Sequence, residues 1–158
     1  MKSFIISIFS ILIISCGFQP MYKLEGGGID LDRLSINFAG DITYEIRDEL
    51  SSLFVNQNIE KDFDVIINVK EELVPVIMNT NGTVSKYQID IALYFEVRNK
   101  AKELIYNDVS VGFAQYDVLI SEIENEDLKK QMTRSATRDA ASLMIAKIQS
   151  RLSLSNDN

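Results

Sequence analysis

Three consecutive Val/Ile-rich runs between Phe63 and Tyr116 constrain this chain more than any other feature, because only short polar turns separate them. The first, Phe63 to Met78, predicts a long strand. Asn79-Thr80-Asn81-Gly82 follows it, and an Asn-Gly step between β-rich runs is the strongest short hairpin signal a sequence carries. In the second run Tyr87, Ile89, Ile91, Leu93, Phe95 and Val97 point one way. Lys86, Gln88, Asp90, Glu96 and Arg98 point the other, with Ala92 and Tyr94 among them. Period-two alternation of this kind predicts a strand with one buried and one wet face, hence an antiparallel sheet. Asn99-Lys100-Ala101-Lys102 makes the second turn. The third run, Leu104 to Tyr116, carries Ile105, Val109, Val111 and Phe113 in phase, with a lighter face of Tyr106, Ser110, Gly112, Ala114 and Tyr116. Pro75 cannot donate to a ladder, so it predicts an edge position or a bulge.

The flanking segments change period. Ile29 to Phe38 alternates loosely and predicts a first strand. From Asp41, Ile42, Ile46, Leu50, Leu53 and Phe54 fall on one stripe of an amphipathic helix, which Asn56-Gln57-Asn58 closes. Asn125 to Leu152 predicts a long helix whose apolar stripe is Leu128, Met132, Ala136, Ala140, Leu143, Met144, Ile148 and Leu152. Residues 153–158 form a polar tail. The expected fold class is α+β, order β-α-β-β-β-α, with two helices packed on one face of a four-stranded, mostly antiparallel sheet. A single domain is expected over residues 29–152.

Residues 1–15 read as a secretory signal: Lys2 supplies the charge, and the apolar run to Ile14 is shorter than the ~20 residues of a membrane span. Ile13-Ile14-Ser15-Cys16 resembles a bacterial lipobox, which makes Cys16 the expected lipid attachment site and the mature N-terminus. Acyl chains bury about 0.8 kcal/mol per CH₂, so two or three of them anchor a protein firmly. The plain alternative is an ordinary signal with a stray cysteine. Gly17, rather than Asp, at the next position implies the outer membrane by resemblance to lipoprotein sorting. Residues 16–28, with Pro20 and three glycines, read as a lipidated tether.

The 158 residues carry Lys+Arg 16 against Asp+Glu 23, a net charge of −7, which argues against nucleic acid. Histidine is absent and Cys16 is the sole cysteine, so no Ser-His or Cys-His machinery, no usual zinc set and no internal disulfide can form. Asp30/Asp32, Asp62/Asp64 and Glu71/Glu72 read as solvated carboxylates. Ser85 and Lys86 point to opposite faces of a strand and cannot act as a dyad. Asn81-Gly82-Thr83 is a glycosylation sequon that reads as a turn. No enzyme, metal or cofactor is implied. One feature stands out: Lys130, Arg134 and Arg138 recur at i, i+4 and i+8, one helical turn apart, with Lys129 beside them. In a chain this acidic the basic line calls for partners. Either the line serves a partner, or it is a solvated face balanced by the helix's own Glu124, Glu126, Asp127 and Asp139.

Cys16-Gly17-Phe18-Gln19-Pro20-Met21-Tyr22 resembles the mature start of the lipopolysaccharide-assembly lipoprotein family LptE. Tyr44 to Leu50, Phe95-Glu96-Val97 and Arg134 to Ala141 resemble its further segments, so the likeness spans nearly the whole mature chain. It implies the same fold, and a non-enzymatic, lipid-anchored outer-membrane protein facing the periplasm. Such a subunit plugs the LptD β-barrel 1:1, assists its assembly and helps lipopolysaccharide reach the outer leaflet. A wet sheet face suits a polar barrel lumen. The alternative from another class is an auxiliary lipoprotein of an ABC-type lipid transport system.

Overall fold

The computed structural model describes residues 33–54 and 60–155; the signal segment, Cys16, the tether and Asp30/Asp32 lie outside the described residues. Four strands form one sheet in sequence order: β1 (Leu34–Ala39), β2 (Phe63–Met78), β3 (Val84–Asn99) and β4 (Leu104–Asp117). Helix α1 (Tyr44–Leu53) links β1 to β2, and helix α2 (Glu122–Ser155) follows β4, running three residues into the polar tail. The expected α+β order is the observed one. The sheet is mixed, because the α1 crossover returns β2 parallel to β1 while β2–β3 and β3–β4 are antiparallel.

The Asn-Gly hairpin closes as predicted. Asn79 N donates to Thr83 O at 2.7 Å, and Gly82 takes a φ of +84° that a side chain would resist. Pro75 fits its two expected settings at once. The β1 ladder ends at Ala39↔Asn68, where Gly40 (φ +86°) turns the chain away, so β2 is an edge beyond Asn68 among the described residues. The β2–β3 register also shifts between Pro75 and Ile77.

Val65, Ile67, Leu93, Phe95 and Val97 on the sheet, Ile46 and Leu50 of α1, and Met144 and Ile148 of α2 form the core. The surprise is β4. Its lighter face, with Ser110, Gly112 and Tyr116, is the buried one, while Val111 and Phe113 stand on the outer face, 49% and 61% exposed. The cause is close approach: a Cβ on Gly112 would lie 2.1 Å from the Ala136 carbonyl oxygen and 2.5 Å from the Ala140 amide nitrogen. Small residues on both elements let the α2 backbone settle onto the strand. The α2 stripe is correspondingly different. Thr133, Thr137, Ala141 and Ile145 are buried beside Ala136, Ala140 and Met144, whereas Leu143, expected inside, is 52% exposed because it falls on the opposite flank of Ala140.

Candidate functional site

The basic line on α2 divides in two. Arg138 Nε donates to Glu49 Oε1 at 2.7 Å, and Arg134 reaches Asp48 Oδ2 at 3.0 Å. Both acceptors belong to α1, and Glu49 is buried. These two arginines therefore bind one helix to the other, in place of the pairing with α2's own acids weighed from the sequence. A buried carboxylate left unpaired is costly, so the Arg138–Glu49 contact fixes how α1 lies on α2. Lys130 is exposed and lines a cleft of about 390 Å³ with Lys129, Glu45, Glu71, Glu126 and Leu73. That cleft opens where α1 stops covering the inner face of β2.

A second polar cluster, unanticipated from the sequence, joins β4 to α2. Tyr106 Oη donates to Asp108 Oδ2 at 2.6 Å, and Lys147 Nζ reaches Asp108 at 2.9 Å and the Val109 carbonyl at 2.7 Å. The tyrosine hydroxyl, the ammonium and the Val109 amide together hold the Asp108 carboxyl down to about 2, and the hydrogen bond to Asp108, with burial, pushes the Tyr106 hydroxyl up. A Tyr-x-Asp step on the strand's lighter face is the signal that marks it. Asp62, which reads as a solvated carboxylate, instead joins Lys100 and Arg33, and the Lys100 ammonium chiefly lowers its pKa. Among the described residues, no group of three or more His, Cys, Asp or Glu is arranged to hold a metal.

The outer sheet face is the other candidate surface. A concavity of about 570 Å³ runs over it beside Asn68, Tyr94, Glu96, Arg98 and Asn107. Its cations are already engaged: Lys70 with Glu72 at 2.8 Å, Lys86 with Asp117 at 3.2 Å, and Arg98 with Glu96 at 2.6 Å. Gln115 Nε2 donates to Gln88 Oε1 at 2.7 Å, and Gln88 Nε2 to Asp90 Oδ1 at 2.7 Å, a chain that fixes three polar groups across β3 and β4. Phe113 lies directly opposite Asp90.

Known proteins share this architecture. A protein of Caulobacter crescentus described as a lipoprotein superposes with a TM-score of 0.63 at 12% identity, over 77% of this chain and 91% of its own. A lipoprotein B of Nitrosomonas europaea gives 0.58 at 13% identity, over 77% and 84%. A minor lipoprotein of Acinetobacter baumannii gives 0.55 at 11% identity, over 78% and 94%. At such identities the likeness is one of fold. No curated protein matches the sequence. The profile of the LptE, lipopolysaccharide-assembly, family matches residues 31–152, all six strands and helices but for the last turn of α2. The chain thus belongs to the LptE family of lipopolysaccharide-assembly proteins.

Proposed function

We propose that this protein is a non-enzymatic outer-membrane lipoprotein, anchored through Cys16, that plugs the LptD barrel 1:1 and helps it assemble and deliver lipopolysaccharide to the outer leaflet. The family match over residues 31–152 carries this reading. The dimensions suit it: the 16 residues of β2 and of β3 extend about 50 Å, beyond the ~30 Å hydrocarbon core that a lumen plug must pass. The basic line Lys130, Arg134 and Arg138 remains our candidate for lipopolysaccharide or partner contact. Lys130 is its outward member, since the two arginines also serve α1.

The test is affinity purification of the tagged full-length chain from solubilised outer membranes. We expect an equimolar LptD-type barrel, an acylated Cys16 at the mature N-terminus, and salt-sensitive co-elution of lipopolysaccharide that Lys130→Glu weakens while the barrel is retained. A free monomer beside an unassociated barrel, or a free Cys16 thiol, would overturn the corresponding part. Reversing all three charges is the wrong variant, because glutamates at 134 and 138 would confront Asp48 and Glu49 and dislodge α1.

A further inference from the structure

We infer that the outer face of the sheet, with Phe113 as its anchor and Val111 and Tyr94 beside it, is the surface that docks against the inner wall of the barrel. The inference rests on the plug reading above and adds which face of the plug meets the wall.

Four observations converge on this face. First, Phe113, Val111 and Tyr94 are 61%, 49% and 49% exposed, bordered by Gln88, Asp90 and Glu96, with Val74 exposed at the β2 side of the same face, and exposed aromatics bordered by polar groups are what carry most of the energy of protein contacts. Second, the cations of the face are already paired. Lys70, Lys86 and Arg98 each have an acid partner within the face, so they remain compensated when water leaves and offer little pull on a multiply charged headgroup. Third, the Gln115–Gln88–Asp90 chain holds its hydrogen-bonding groups in one orientation, which lowers the ordering cost of meeting a second surface. Fourth, three long strands at ~4.8 Å spacing and ~50 Å length give a patch of roughly 700 Å², close to the ~800 Å² per partner of a stable complex. The partner this chemistry fits is another sheet surface, polar with an apolar recess for one aromatic ring. The inner wall of a barrel is such a sheet, and its lumen side is polar.

Photo-crosslinking on the intact lipidated protein in outer membranes tests this. A benzoylphenylalanine at position 113 or 94 should crosslink to the barrel, identified by mass spectrometry, and one at position 130 should not. Phe113→Ala should reduce barrel recovery at least about tenfold while the far-ultraviolet spectrum and melting temperature stay close to their wild-type values. Crosslinks from 130 alone, crosslinks from 113 to a second copy of this chain, or undiminished recovery of the Phe113→Ala variant would each overturn the assignment while leaving the plug reading intact. Failure of the unsubstituted chain to recover any barrel would instead sink the plug reading, and this surface with it.

Discussion

The two faces of β4 hold opposite lessons. At mid-strand the outer one carries Val111 and Phe113, more hydrocarbon than the residues behind them, and stays in water; there the inner one carries Ser110, Gly112 and Ala114 and is packed. Burial here follows how closely two backbones can approach, and not how much apolar surface a strand offers. Gly112 and the alanines of α2 bring main chains together, so the backbone itself supplies the dispersion attraction that small side chains cannot. Conversely, the bulky residues left outside would hold a helix away from the strand. What looks like the weaker side of β4 is the one that fixes α2.

Paired substitutions can break this comparison. The largest effect is expected from Phe95→Ala: Phe95 is 1% exposed, so removing it should cost about 3–5 kcal/mol in urea unfolding, whereas Phe113→Ala should change stability by less than about 0.5 kcal/mol. Similar losses at both positions would mean the outer face is folded against something within the chain. Next comes Gly112→Ala, a single added methyl that must displace helix backbone and should cost about 3 kcal/mol. Differential scanning calorimetry measures it, and an unchanged melting point would refute the close approach. The smallest effect concerns acid. Asp108 falls from an ordinary 3.8 to about 2 in the folded chain, so its contribution to stability is present above roughly pH 4 and is lost as pH drops through 2. Asp108→Asn should therefore flatten the acid limb of the stability curve. Glu72→Gln, which breaks an exposed pair on the outer face, should change stability at neutral pH by less than about 0.5 kcal/mol.

Much of this was readable in the sequence, for local reasons. The limits of β2, the alternation of β3 and the turn at Asn79–Gly82 follow from period-two patterning and turn chemistry, which act within a few residues. Pro75 even foretold where the sheet runs out of neighbours. What stayed hidden depends on how distant segments are rotated against each other. That Arg134 and Arg138 meet Asp48 and Glu49 requires the facing angle of two helices distant in sequence, with Glu49 and Arg138 89 residues apart, and no spacing rule within α2 contains it. The outward turn of Leu143 and the inward turn of Gly112 are of the same origin. The basic line was visible as a pattern, but its division into two inter-helix ties and one outward lysine was not.

The open stretch of β2 beyond Asn68 has a consequence for the protein before it meets any partner. From Lys70 to Met78 the strand shows a row of main-chain donors and acceptors with no neighbour among the described residues, the kind of template on which a second chain can begin to polymerise. Pro75 deletes one donor from that row, the register shift beside it twists the next, and the Lys70–Glu72 charges flank what is left. The uninterrupted template is cut to a few residues. Pro75 therefore matters less to how firmly one molecule folds than to keeping many of them apart.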